Sequence, residues 1–204
     1  MSIAAAPSAA ARAAALLSGW WSRPVEAERA AWEESWPLAG EVAAEIGLDA
    51  GRVEQLVACS GGVEIDELLD EYERLFVGPG LTPCSPYESL WLSEQPRLEQ
   101  GRLMGAASVA IADLYRGLGL DVAAAAHELP DHLAIELEAL AVALGAEGAA
   151  AEETGRVLLH EHLQVWVPRF CTLVEAQARH PFYAALARVT GEWVERLARD
   201  TLVP

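Results

Sequence analysis

Two stretches carry side chains that could support acid–base or nucleophilic chemistry. Glu128, Asp131 and His132 lie close together, and a carboxylate beside a histidine can act as a general acid or base. A catalytic triad also needs a nucleophile positioned by its surroundings. The nearest candidate, residues 59–62 (CSGG), lacks the flanking strand and helix of a nucleophile elbow. We therefore expect no catalytic residue and no enzymatic activity.

The histidines and cysteines do not match a metal-binding pattern. His160 and His162 are two residues apart and point to different helix faces, whereas a zinc-binding helix places its histidines four apart. Pro130 separates His127 from His132, which leaves shared ligation by this pair as the weaker alternative. The 3 cysteines form no CxxC pair, and no phosphate-binding loop is present. We expect neither a metal nor a cofactor.

The elements that must position these residues are helices. Apolar residues recur at three- and four-residue spacing in 65–76, 102–118 and 131–144, in a stretch that reaches Pro168, and after His180. No stretch alternates with a period of two, and β-branched residues are never concentrated. The sequence therefore predicts an all-α fold, a single-domain helical bundle over residues 1–204.

The ends of two helices are marked by particular residues. Asp131 is the predicted N-cap of the 131–144 helix, and Gly145 is its predicted C-terminal stop. Pro168 is expected to terminate or kink the helix in which it lies, because proline lacks a backbone N–H.

The segment 77–98 interrupts the helical pattern with many prolines and glycines, which prevent a regular helix. Long loops inside compact domains are uncommon and are often functional. This loop also carries Tyr87, Leu90 and Trp91, large apolar groups that a solvent-exposed linker would not need. A second interruption, residues 127–132 (HELPDH), directly precedes the next apolar stripe.

The charge of the chain is strongly negative. Lys and Arg number 14 against 31 Asp and Glu, which gives a net charge of −17. Such a surface repels phosphate backbones and anionic lipids, so we expect no nucleic-acid partner. It attracts cationic partners, including arginine-bearing peptides, although the charge could also serve solubility alone.

The alanine-rich residues 1–20 are predicted to form an N-terminal helix or a tail. They lack the basic start and sustained apolar stretch of a secretory signal. No segment approaches the roughly 20 apolar residues that a membrane span requires. We expect a cytoplasmic protein without stable membrane insertion.

Three motifs resemble those of the TorD/DmsD/NarJ family of molybdoenzyme-specific chaperones, the redox enzyme maturation proteins. Residues 72–79 (YERLFVGP), followed by PYESLWL, are similar to the family's signature loop. Residues 129–137 (LPDHLAIEL) resemble its second hallmark, a Pro-Asp-His element that opens a helix. Residues 162–170 (HLQVWVPRF), followed by FYAALA, supply a third similarity. The motifs occur in the family's order over residues 65–197.

The resemblance implies a chaperone that binds the twin-arginine leader or N-terminus of the catalytic subunit of a molybdopterin oxidoreductase. Such a chaperone assists cofactor insertion and assembly before export. One alternative is a NarJ-like chaperone for an enzyme that is not exported, although residues 89–92 favour the DmsD-like side. The other is an unrelated acidic helical binding or scaffold protein.

A twin-arginine leader presents two guanidinium groups and an apolar helix-forming segment, so its receptor needs an apolar groove with carboxylates at one end. We place the arginines near Glu88, Asp131 and Glu136. Simpler alternatives are that Trp91 only anchors the loop, that Asp131 is only a helix cap, and that His132 bonds Asp131 or faces solvent. The full set of predicted peptide-binding residues is Pro86, Tyr87, Glu88, Leu90, Trp91, Pro130, Asp131, His132 and Glu136.

Overall fold

The computed structural model describes residues 7–26, 29–60, 64–78, 84–92, 106–120 and 128–201. Helices dominate this part of the chain, and no β-strand occurs in it. The prediction of an all-α helical bundle is therefore confirmed. The helices are α1 (Ala9–Trp21), α2 (Arg29–Ile46), α3 (Ala50–Ser60), α4 (Ile65–Tyr72), α5 (Ser89–Leu92), α6 (Ala106–Gly117), α7 (Leu133–Gly145), α8 (Ala149–Val157), α9 (Gln164–Gln177) and α10 (Pro181–Thr201).

Helix α7 lies at the centre of the bundle. It is buried around most of its circumference, which its sequence LAIELEALAVALG allows because apolar residues occupy nearly every position. Helix α1 packs along it, and the alanines of α1 permit close approach. Helix α1 also contacts α2, while α9 and α10 pack on each other and α10 contacts α3.

An aromatic cluster joins the first and last helices of the bundle. Trp21 of α1 packs against Phe76 and Phe170, with ring centroids 5.9 and 5.1 Å away. Its indole N–H donates to the Thr190 hydroxyl on α10 at 2.9 Å. Aromatic contacts of this kind stabilise beyond their buried area. The cluster therefore ties α1 to Phe76, to Phe170 and to α10.

Two helical segments have π geometry, and both border the predicted site. The first π turn (Glu73–Val77) continues α4, and the second π turn (Leu158–Leu163) joins α8 to α9. Such turns are rare and often occur at functional sites, because they redirect side chains within a helix.

The predicted N-cap of α7 is wrong, and the helix that carries Pro168 does not end at that proline. Helix α7 begins at Leu133, and its N-cap is His132, whose Nδ1 accepts the backbone N–H of Ala134 at 3.2 Å. Asp131 is therefore not the cap of this helix, because its carboxylate is bonded elsewhere. Helix α9 continues through Pro168. Pro168 has no N–H to donate to the carbonyl of Gln164, its acceptor in a regular α-helix. Gln164 directly follows the second π turn, where the hydrogen-bond spacing changes from π to α.

None of the helices in the described ranges is long and apolar enough to cross a membrane.

Candidate functional site

The two interruptions of the helical pattern meet in space. A two-residue antiparallel bridge pairs Tyr87 with His132. The backbone N–H of Glu88 donates to the carbonyl of Asp131 at 3.0 Å, and the N–H of Leu133 donates to the carbonyl of Pro86 at 2.9 Å. The described part of the predicted loop, which we call the site loop (84–92), therefore lies against the N-terminal end of α7. All nine predicted residues belong to these two segments.

Asp131 fastens the site loop to the bundle. Its side chain is fully buried, and its Oδ2 accepts the backbone N–H of Ser89 at 3.1 Å. Its Oδ1 accepts the hydroxyl of Ser108, on α6, at 2.8 Å. Asp131 thus caps the short helix α5 from another part of the chain, and both of its carboxylate oxygens have a donor.

His132 is a buried helix cap. Its Nδ1 accepts from Ala134, so the proton of the neutral ring lies on Nε2, which faces the Tyr72 hydroxyl at 3.5 Å. Burial lowers the pKa of His132, although the charges of Glu128 and Asp131 act in the opposite direction. His132 therefore neither bonds the Asp131 side chain nor faces solvent.

Glu88 is also fully buried and is paired with a residue that the sequence did not place in the site. Nδ1 of His162, on the second π turn, lies 2.9 and 3.0 Å from the two carboxylate oxygens of Glu88. His160, two residues earlier, bonds Gln164 and Thr201 instead. The two histidines thus point in different directions, as their spacing predicts.

Glu136 is fully buried, but its carboxyl oxygens receive few hydrogen bonds. Its Oε2 receives a long hydrogen bond, 3.4 Å, from the indole N–H of Trp166. Its Oε1 has no hydrogen-bond partner among the described residues. Burial raises the pKa of Glu136 well above its ordinary value, and the charge of Glu88 raises it further. The uncharged acid is the form that this environment favours.

Aromatic and apolar side chains of the site loop form its outer layer. The half-buried Tyr87 donates its hydroxyl to Glu128 at 2.7 Å. The indole N–H of Trp91 donates to the carbonyl of Ser85 at 2.8 Å, and its ring packs 6.3 Å from that of Trp166. Leu90 is half-buried as well. Trp91 therefore anchors the loop while part of its ring stays accessible.

Arg169 covers the ring of Trp91 from the side of α9. Its guanidinium carbon lies 5.5 Å from the ring centroid, which is within the range of a cation–π contact. A guanidinium can therefore stack on this surface of the loop.

Three supporting contacts were not anticipated from the sequence. Ser108 bonds Asp131, His162 bonds Glu88, and the hydroxyl of Tyr115 donates to the carbonyl of Pro130 at 2.7 Å. His162 and Trp166 lie within the third family-like motif, which is the one signal that could have drawn attention to them. Ser108 and Tyr115 lie outside every motif.

The site does not have the composition of a metal centre. The described residues contain no group of at least three His, Cys, Asp or Glu side chains arranged to hold a metal. His127 lies outside those residues. Burial raises the pKa of the Cys84 thiol, near the start of the site loop, to about 11, which keeps it protonated at neutral pH. The arrangement is one of half-buried aromatic groups over buried carboxyl groups, which suits recognition of an apolar, cationic segment.

Comparison with known proteins identifies the family. A family model described as the nitrate reductase delta subunit matches residues 42–172. The Tat proofreading chaperone DmsD of Salmonella typhi is 32% identical over 171 residues, covering 81% of this chain and 74% of the relative. The chaperone protein TorD of Shewanella loihica is 28% identical over 127 residues, covering 62% of this chain and 59% of the relative.

A solved structure agrees with this assignment. A crystal structure described as that of a redox enzyme maturation protein from Archaeoglobus fulgidus matches with a TM-score of 0.59 and 28% identity. The match covers 91% of this chain and 93% of that one. These relatives confirm the resemblance in the motifs and set aside the alternative of an unrelated helical scaffold. The chain belongs to the TorD/DmsD/NarJ family of molybdoenzyme-maturation chaperones.

Proposed function

We propose that this chain is a cytoplasmic chaperone that binds the twin-arginine leader or N-terminal segment of the catalytic subunit of a molybdopterin oxidoreductase. It holds that subunit while the cofactor is inserted and the enzyme is assembled, before export. The observation that carries the proposal is the meeting of two family motifs at one place. There, half-exposed aromatic groups of the site loop lie over buried carboxyl groups.

Each part of a leader has a counterpart in this chain. The apolar segment of the leader suits the surface formed by Tyr87, Leu90 and Trp91. The arginines suit carboxylates, because a planar guanidinium offers paired N–H donors. A net charge of −17 attracts a cationic segment from a distance. The nine predicted residues remain our proposed contact set.

The chain's own role is binding, not catalysis. The molybdenum cofactor belongs to the client, and no cofactor of the chaperone itself is proposed. This division of labour suits the site, where the neutral histidine His132 is committed to capping α7.

Titration of a fluorescently labelled leader tests the proposal. The leader is taken from the molybdoenzyme encoded beside this chain, and the variants are Trp91→Ala and a matched control, Trp36→Ala. Trp36 is another half-buried tryptophan, which stacks on Trp20 at 4.8 Å in a different part of the bundle. We expect micromolar or tighter binding that weakens about tenfold or more in Trp91→Ala only, since aromatic anchors dominate such interfaces. Equal losses in both variants, or no binding by the natural chain, would refute it.

A NarJ-like client is the second candidate, and it is favoured by one observation. The family model that matches residues 42–172 is described as the nitrate reductase delta subunit. A NarJ-like client is not exported and so needs no twin-arginine pair. Replacing both leader arginines with glutamine separates the candidates. A loss of affinity supports the exported client, and unchanged affinity supports the NarJ-like one.

A further inference from the structure

Two of the buried acidic residues, Glu88 and Glu136, each have a single hydrogen-bond donor among the described residues. The carboxylate of Glu88 receives one described donor, His162 Nδ1, which both of its oxygens share. Glu136 receives one long bond from Trp166, and its Oε1 receives none from the described residues. A carboxyl group, ionised or not, can form several hydrogen bonds, so these two groups use little of their capacity.

The other two buried acids among the described residues, Asp131 and Glu71, have hydrogen-bond donors on both carboxylate oxygens. Both oxygens of Asp131 have a donor, as described above. Glu71 receives two hydrogen bonds from the Arg74 guanidinium, at 2.7 and 2.8 Å. It also accepts the backbone N–H groups of Arg179 and His180 at 2.5 and 3.1 Å. Among the described residues, the shortage of donors is therefore particular to Glu88 of the site loop and Glu136 of α7.

We propose that Glu88 and Glu136 form a latent guanidinium site, and that His162 keeps it closed by occupying Glu88 until an arginine of the client replaces it. This inference rests on the proposed function, because the client segment supplies the arginine. A guanidinium carries five N–H donors and a positive charge, which together satisfy the two carboxyl groups that the chain itself leaves short.

The site loop must lift for this exchange to occur. Glu88 and Glu136 have no exposed surface in the closed arrangement. The bonds that hold the loop down include the two backbone hydrogen bonds of the Tyr87–His132 bridge, the cap from Asp131 to Ser89, and the contact between His162 and Glu88. Asp131 thus holds the loop in the closed arrangement, and both of its oxygens are already bonded there. Glu88 then serves as the latch in the free chain and as a ligand in the complex.

If His162 is a latch, its removal should increase the affinity for the leader. Removal of a residue that only stabilises the fold should leave that affinity unchanged or lower it. Only the open population binds the client, so the measured affinity is reduced by the open fraction. In His162→Leu, Glu88 loses its donor, and a buried unpaired carboxylate is costly. The closed state is destabilised, the open fraction grows, and the leader binds more tightly even though the protein unfolds more easily.

The test measures leader affinity and the urea midpoint in His162→Leu, with His160→Leu as the matched control on the same π turn. We expect the His162 variant to bind the labelled leader roughly tenfold more tightly and to unfold at lower urea, and the control to bind like the natural chain. His162→Asn, whose amide nitrogen lies near the position of Nδ1, should restore natural affinity. If His162→Leu does not fold, His162→Gln is used instead. The amide of glutamine lies beyond the position of Nδ1, so this variant also loses the hydrogen bond to Glu88.

Hydrogen exchange gives a second measurement. Leader binding to the natural chain should speed exchange of the Leu133 amide, which the closed loop protects through Pro86. Natural or weaker affinity in the folded His162 variant, or slower exchange at Leu133 on binding, would overturn the latch while leaving the proposed function intact. Absence of leader binding to the natural chain would overturn both.

Discussion

The number of hydrogen-bond donors around each buried acid determines what that residue can do in this chaperone. Asp131 and Glu71 have donors on both oxygens and tie separate segments together. Glu88, in the site loop, and Glu136, on α7, have few donors, and both side chains are fully buried. Since buried polar groups are normally satisfied, the second pair marks the place where a ligand is most needed.

Removal of the Asp131 carboxylate should destabilise the fold. Asp131→Ala leaves the partly buried Ser89 N–H and the buried Ser108 hydroxyl without their acceptor, and we expect a loss of about 2–4 kcal/mol in the free energy of unfolding. Urea denaturation measures it. Asp113→Ala is the control, because Asp113 is exposed on α6 and pairs with the neighbouring Arg116. Comparable losses in the two variants would show that Asp131 does not fasten the loop.

Glu136 should make the natural chain less stable as pH rises. Its folded pKa is raised, first by burial and then by Glu88, so its stabilising contribution is present below the unfolded pKa and is lost as pH rises through the folded pKa. Glu136→Gln cannot ionise. Relative to the natural chain, the variant should gain more than about 1 kcal/mol between about pH 4 and about pH 8, measured by urea denaturation.

Glu71 provides a control of opposite sign. Burial acts to raise its pKa, but hydrogen bonds from Arg74 and from two backbone N–H groups outweigh burial and lower it. Its contribution is therefore present above the unfolded pKa and is lost as pH falls through the folded pKa. Glu71→Gln should cost stability at neutral pH and less in acid. A common pH trend for the two variants would show that the buried acids do not differ as described.

At the scale of helices, the apolar stripes predicted α4, α6, α7, α9 and α10, whereas no stripe was identified for α2, α3 or α8. The stripes of 65–76, 131–144 and the segment after His180 all lie in helices. Their periodicity is local information, and packing on a common core preserves it. The family motifs also identified the two segments that meet at the site.

The missed features depend on partners that are distant in sequence. His132 replaces Asp131 as the cap of α7 because Ser89 and Ser108 already hold the Asp131 side chain. The hydrogen-bond partner of the buried Glu88 carboxylate is His162, which lies 74 residues away in the sequence. No window of local sequence contains such pairs, so periodicity and capping rules could not predict them.

The close packing of α1 on α7 depends on small side chains. Ala14 has no exposed surface, whereas the next residue, Ala15, faces solvent. Ala14→Leu should overfill the contact between the helices and lower the free energy of unfolding by about 1–3 kcal/mol. Ala15→Leu, with the same change in volume, should leave it nearly unchanged. Thermal or urea denaturation compares them, and equal effects would mean that α1 is not packed closely on α7.

At the scale of the whole molecule, the charge should control how fast the client arrives more than how tightly it stays. A net charge of −17 attracts a cationic leader over a distance that salt shortens. Between about 0.05 M and about 0.5 M salt, the association rate should fall about tenfold. Stopped-flow fluorescence measures that rate.

A leader with two lysines in place of the two arginines is the matched control. It keeps the charge, so its association rate should show the same salt dependence. It loses the planar donors, so its dissociation should be faster. An association rate that is insensitive to salt would contradict long-range attraction.

The bundle also offers a competing surface. Helices α2 and α3 enclose an apolar groove of about 470 Å³, bordered by Trp36, Gly40 and Val53 among others. Glu54 is the acidic residue on its rim. The groove could hold an apolar helix, but it has far fewer carboxylates for an arginine pair than the site loop region.

Photo-crosslinking tests the central claim most directly. A leader carrying a benzophenone side chain next to its arginine pair is irradiated in complex with the full chain, and the labelled segments are identified by mass spectrometry. Binding at the site loop predicts labels in residues 85–92 and 128–136. Labels confined to α2 and α3, with those two segments unmodified, would show that the leader binds elsewhere.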